Sequence, residues 1–152
     1  MTTYTLRPAR ESEARQIKDL IQLVGINPMD LDWKRFVVAV NDKKDEMTAC
    51  GQVKPHGANA EILELASIAV KPEFQGQGVA RLIIEYLLKA SSRPLYLTCR
   101  SRLEPFYEKF GFHALTYAEM PRYYQRISKL VGLLGAVARF GKGDGLSVMK
   151  LQ

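Results

Sequence analysis

The stretch Ile68-Ala69-Val70-Lys71-Pro72-Glu73-Phe74-Gln75-Gly76-Gln77-Gly78-Val79-Ala80 decides how the rest of the chain is read. It leaves an apolar, strand-like run (Ile62 to Val70), places two glycines close together, and opens a helix predicted over Gly78 to Ala90. A glycine-bearing turn at a helix start points several backbone N–H groups outward, with the positive end of the helix dipole behind them. Such a turn suits a phosphate-bearing ligand.

Two phosphate-cradling motifs do not fit. A Walker A loop requires Lys-Ser/Thr after its last glycine, where this chain has Val79-Ala80. A dinucleotide fingerprint requires a third glycine, where Gly76-Gln77-Gly78-Val79-Ala80-Arg81 ends in arginine. Two glycines that merely cap strand and helix would leave the lead-in unexplained. The pattern that matches is Q/R-x-x-G-x-A/G, at Gln75, Gly78 and Ala80, preceded by the hydrophobic-Val-x-Pro lead of Ile68 to Pro72. This resembles the coenzyme A loop of the GNAT superfamily of N-acetyltransferases. The resemblance implies acetyl-CoA as co-substrate. Its pyrophosphate would be held by backbone amides of Gln75, Gly76, Gln77, Gly78, Val79 and Ala80. The backbone of Ile68, Ala69 and Val70 would pair with the pantetheine arm.

The resemblance extends beyond the loop. Thr5-Leu6-Arg7-Pro8-Ala9, followed by an acidic helix, is similar to the opening strand and helix of the family. Phe106-Tyr107-Glu108-Lys109-Phe110-Gly111-Phe112 is similar to its Y-E-x-x-G-F segment. Order and spacing agree over residues 4 to 113, and a closing strand resumes at Ser147 to Leu151. The implied fold is mixed α/β, a twisted mixed sheet of six to seven strands with helices on both faces. Residues 1–152 then form a single acetyltransferase-like domain with an enlarged acceptor-side segment at about 114–146.

The residue pattern supports that layout. Residues 3–8 alternate as a strand, and Ala14, Ile17, Leu20, Ile21 and Val24 form a helical stripe with Ser12 near its cap. Met29 to Lys34 reads as a short helix or loop. Arg35 to Val40 and Glu46 to Lys54 read as a hairpin, Ala60 to Val70 as the strand feeding the loop, and Pro94 to Thr98 as the strand after the helix. The strand–helix–strand unit should be parallel. Leu103 to Phe110 is predicted helical, closed by Gly111. Tyr123 to Phe140 is predicted as a basic amphipathic helix with Ile127, Leu130, Val131, Leu134 and Val137 on its apolar side. A helix of that kind covers a sheet or walls a substrate site more often than it lies on a membrane.

Composition sets the outer bounds. Hydrophobic residues make up 47% and charged residues 25%, as in an ordinary globular protein. No apolar run reaches membrane-span length, and no secretory h-region opens the chain. Cys50 and Cys99 sit singly on apolar runs and read as buried hydrophobes, and two histidines are too few for a metal site. The expected compartment is the cytoplasm, with no metal. Net charge is +6, which suits an acidic ligand such as coenzyme A. The basic residues are dispersed and no nucleic-acid motif is present, so nucleic acid is not an expected partner.

Acetyl transfer to an amine needs a neutral nitrogen and a stabilised leaving thiolate. A lysine amine of pKa ~10.4 is free base about once in a thousand molecules near pH 7. A carboxylate beside the acceptor takes the proton, directly or through water. Glu61 and Glu64 are the candidates; three apart on one regular strand, they face opposite sides. The family resemblance favours Glu64, and it places Tyr107 beside the coenzyme A sulfur as proton donor to the thiolate. The family's asparagine seven residues before that tyrosine is Arg100 here, and Pro105 delays the helix start, so asparagine-dependent contacts do not transfer. The expected function is transfer of an acetyl group from acetyl-CoA to a primary amine: a protein N-terminus, a lysine or a small amine. A non-catalytic acyl-CoA-binding or sensing module of the same fold is the alternative.

Overall fold

A computed structural model describes residues 2–57, 60–133 and 145–152. Its elements run β1 (Tyr4–Pro8), α1 (Ala14–Leu23), β2 (Phe36–Asn41), β3 (Glu46–His56), β4 (Ile62–Val70), α2 (Val79–Ala90), β5 (Leu95–Arg100), α3 (Glu104–Glu108), β6 (His113–Ala114), α4 (Arg122–Leu133) and β7 (Leu146–Leu151). The strand order of the seven-stranded sheet is β1-β2-β3-β4-β5-β7-β6. β1, β2 and β3 pair antiparallel, β4 and β5 parallel, and β7 antiparallel to both β5 and β6. The expected mixed α/β fold is therefore the one adopted. The chain divides into two compact units, Met1–Lys54 with Leu65–Ser92, and Pro55–Glu64 with Arg93–Gln152.

In the first unit, every residue of β2 is buried. Its alternate residues Phe36, Val38 and Val40 pack with Ile17, Leu20 and Ile21 of α1 and with Met47, Cys50 and Ala69 into one core. α2 buries Val79, Ile83, Ile84 and Leu87. It lies close to β3 because residue 51 is glycine: a Cβ there would meet Ile68 Cδ1 and Ile83 Cγ2, each at 2.6 Å.

The start of α1 explains the Arg-Pro sequence. Glu13, not Ser12, organises the entry. Arg7 Nη1 and Nη2 donate to its two carboxylate oxygens at 2.8 and 3.0 Å, and the Arg10 N–H donates to Oε1 at 2.8 Å. The Arg7 hydrogen bond, helped by the Arg10 N–H, holds the buried Glu13 carboxyl below its ordinary pKa against the opposing effect of burial. A depressed folded pKa contributes stability above the unfolded value and loses it as pH falls through the folded one. Glu13→Gln is thus expected to destabilise the chain by about 1.5–3 kcal/mol at neutral pH. The gap to wild type should close below the ordinary carboxylate range. Urea melts at pH 7 and pH 3 check this; a gap of equal size at both would exclude the ion pair as its source.

The second unit has its own core of Ile62, Tyr96, Tyr124 and Val148, joined by Leu115, Met120, Tyr123 and Ile127. β5 and β7 pair over their whole length, Leu95 opposite Leu151 through Arg100 opposite Leu146. α3 begins at Glu104 after a 3-10 turn over Ser101–Leu103, later than a start at Leu103, because Pro105 fixes the first turn. Glu104 accepts a hydrogen bond from the Ser147 hydroxyl. β6 is two exposed residues long and carries no alternation to read. α4 covers Arg122–Leu133; the remainder of the predicted helix to Phe140 lies outside the described residues. The stripe expected on α4 is partly corrected: Tyr124 is fully buried while Leu130 is 56% exposed. Cys50 and Cys99 are both buried free thiols.

Candidate active site

In the first unit, β4 delivers the chain into the glycine loop. Pro72–Phe74 form a 3-10 turn anchored by buried Phe74, which meets Tyr4 edge-on at 6.4 Å. Gln75 turns its side chain inward, and its Nε2 donates to the Val70 carbonyl at 3.0 Å. The motif's glutamine therefore ties loop to strand end. Gln77 is also engaged by protein: its Oε1 accepts from the Tyr4 hydroxyl at 3.0 Å, and its Nε2 donates to the Glu73 carbonyl at 3.4 Å. Gly78 stands at the N-cap of α2 in the left-handed region (φ 82°, ψ 11°), and no side chain caps the helix there. A Cβ on Gly78 would meet no protein atom within 4 Å. The first turn of α2 thus has no side-chain cap and open space beside its N-cap, an arrangement that suits an anion at a helix start.

Upstream of the loop, β4 is irregular. Its alternation slips where Glu64 and Leu65 are both buried, and Ser67 takes φ +58°. A non-glycine residue at that φ within a strand marks a bulge held by its surroundings. The holder is Gln52, fully buried, whose Nε2 donates to Ser67 Oγ at 2.9 Å. Its Oε1 is buried without a hydrogen-bond partner among the described residues. Sequence reading missed Gln52; the signal available was a polar side chain in the middle of an apolar strand.

In the second unit, Glu64 is buried, and two contacts converge on its Oε2. The Tyr124 hydroxyl donates to it at 2.6 Å, and His56 Nε2 lies 3.2 Å away. Nε2 is not aligned on that oxygen, so this is a close approach and not a formed hydrogen bond. Tyr123 stacks on the His56 ring at 4.4 Å and 20°. Burial, then the Glu64 charge and hydrogen bond, push the Tyr124 phenol well above its ordinary pKa. Glu61, in contrast, is exposed ahead of β4, its carboxyl folded over Gly57. His56 and Tyr124 were not predicted as site residues.

Tyr107 lies on α3, away from Glu61 in sequence and in environment. Its ring packs edge-on against Phe106 at 5.0 Å and Phe112 at 6.3 Å. The side chain keeps some exposed surface, yet enough atoms crowd it that burial, with a smaller contribution from Cys99, pushes its pKa up to about 12. Among the described residues no cluster of His, Cys, Asp and Glu is suited to hold a metal ion, and no helix is long and apolar enough to cross a membrane.

Comparison with solved structures gives the same fold. N-acetylglutamate synthase from Neisseria gonorrhoeae, complexed with coenzyme A and N-acetyl-glutamate, aligns with TM-score 0.72 at 16% identity over 100% of this chain. The chain spans only 36% of that synthase. Rv2747 from Mycobacterium tuberculosis, in complex with CoA, aligns with TM-score 0.68 at 22% identity, covering 97% of this chain and 98% of its own. Escherichia coli ElaA aligns over the full length of both chains with TM-score 0.58 at 17% identity. The family model of the acetyltransferase (GNAT) domain matches residues 32–114, more than half of the sequence and including the whole glycine loop, so the protein belongs to the GNAT acetyltransferase domain family.

Proposed function

We propose that the protein transfers an acetyl group from acetyl-CoA directly to a primary amine. The observation that carries this reading is Gly78: a left-handed, side-chain-free N-cap that leaves the first turn of α2 open for a pyrophosphate. Backbone from Gln75 to Ala80 holds that group, and Ile68 to Val70 lie along the pantetheine arm. Because Gln75 already occupies the Val70 carbonyl, the arm pairs chiefly with the other backbone groups of that segment. The Glu64 cluster supplies the base function and Tyr107 the hydrogen-bond donor to the departing sulfur. Residues 1–152 act as one acetyltransferase domain, with the segment after residue 114 on the acceptor side. Two buried free thiols suit a reducing compartment and support a cytoplasmic location.

The test is calorimetric titration with acetyl-CoA, followed by free-thiol release across free amino acids, alkylamines and short peptides. Free amino acids lead the panel because the Neisseria neighbour was solved with N-acetyl-glutamate. Binding with amine-dependent release establishes the transferase and its acceptor class. A non-catalytic acyl-CoA-binding module is the second reading, favoured by the Tyr124–Glu64 hydrogen bond, which serves packing as well as chemistry. Binding without release from any amine would select it. Absence of binding would remove both.

A further inference from the structure

The structure points to His56 as the group that takes the acceptor's proton, with Glu64 as the residue that positions and charge-stabilises it. This rests on the transferase reading above. Sequence order and the family resemblance draw attention to Glu64, but the carboxylate is buried and its Oε2 is already engaged by the Tyr124 hydroxyl at 2.6 Å. His56 stands on the same oxygen at 3.2 Å through Nε2, with its side chain 11% exposed. Its buried Nε2 has no hydrogen-bond partner among the described residues, although a carboxylate oxygen is within reach. A turn of the ring within its stacking plane would bring Nε2–H onto Glu64, and catalytic hydrogen bonds are often misaligned before substrate binds. With the proton on Nε2, Nδ1 carries the lone pair. Tyr123 stacked at 4.4 Å fixes the plane of the ring, so the direction of that lone pair is set by packing.

The chemistry favours the imidazole. An imidazole is a stronger base than a carboxylate and is the side chain most often used for general acid–base work. The proton ledger closes with no outside reagent. An acceptor ammonium gives one proton to His56 Nδ1, and its freed nitrogen pair forms the C–N bond to the thioester carbonyl. The C–S pair leaves on sulfur, and the second nitrogen proton ends on that thiolate. His56 returns its proton to water, giving amide, free thiol and one proton from ammonium and thioester. Among the described residues, Glu64 of β4 and Tyr123 of α4 face His56, and Tyr124 of α4 reaches the same Glu64 oxygen. Behind them stands Tyr96 of β5, with the Lys150 ammonium over its ring, and Glu61 folds over the adjacent turn.

The pH dependence of thiol release from acetyl-CoA, with the best amine of the panel, tests the assignment on the full chain. His56→Gln should lose about 10²-fold in rate and lose the acid limb of the wild-type profile. Free imidazole should restore part of the rate to His56→Ala. Glu64→Gln should keep the limb but move it to lower pH, because a neighbouring carboxylate stabilises imidazolium. An intact acid limb in His56→Gln, with no limb left in Glu64→Gln, would overturn the assignment and return the base to Glu64 while the transferase stands. If acetyl-CoA binds but no amine releases thiol from wild type, the transferase reading fails and this assignment with it.

Discussion

Gly78→Val is expected to lose acetyl-CoA binding by more than a hundredfold in a calorimetric titration while the chain still folds. The residue sits at φ 82° in open space, so the protein itself has room for a side chain. What it lacks is a backbone conformation that valine adopts: a β-branched residue at positive φ costs about 1–3 kcal/mol. The helix start relaxes out of the left-handed cap and takes with it the N–H groups that would hold the pyrophosphate in the proposed site. Each hydrogen bond to a charged group is worth about 1.5–3 kcal/mol, so losing two reaches the hundredfold threshold.

A control separates strain from recognition. Gly25 has φ 76°, also in open space, in the turn that follows α1. Gly25→Val should lower the melting temperature by a similar amount and leave acetyl-CoA affinity unchanged. Gln77→Ala should also bind nearly normally, because Tyr4 and Glu73, not a ligand, hold that side chain. Equal affinity in Gly78→Val and wild type would show that the pyrophosphate is held elsewhere.

The loop was legible because its requirements are local. Two positive-φ positions demand glycine, and a helix must follow directly, so residue type and spacing carry the whole signal. The same holds for the hairpin and for α1, whose apolar stripe is the buried face. The Glu64 cluster was legible only in part, because its members are assembled by tertiary contact. Tyr124 reaches Glu64 from 60 residues away. No periodicity marks that tyrosine, and an aliphatic stripe on α4 drew attention to Leu130, which faces solvent. His56 was hidden by Pro55. Proline lacks the N–H of a ladder and reads as a strand end, yet β3 continues through it to His56. Nothing in the serine itself marks the positive φ at Ser67, where Gln52 donates to its hydroxyl from the neighbouring strand.

Tyr107→Phe is expected to lower turnover by about 10²–10³-fold, the usual cost of one donor to a developing negative charge, with acetyl-CoA affinity nearly unchanged. The environment of the phenol refines the role expected from sequence. Burial, with Cys99 beside it, pushes the Tyr107 pKa up to about 12, whereas a thiol titrates near ~8.5. A phenol held that high is a weaker acid than a thiol, so full transfer of its proton to the thiolate is uphill. In the proposed site, Tyr107 would act by donating a hydrogen bond that disperses charge on the sulfur, keeping its own proton. The sign of the pH effect follows. A group with its pKa raised to about 12 stays protonated across the working range, so it contributes no limb to the rate profile below about pH 11. The Tyr107→Phe profile should keep the shape of the wild-type curve at a lower height. A basic limb present in wild type and absent in the variant would instead make Tyr107 a full proton donor. Unchanged turnover would remove it from the chemistry altogether.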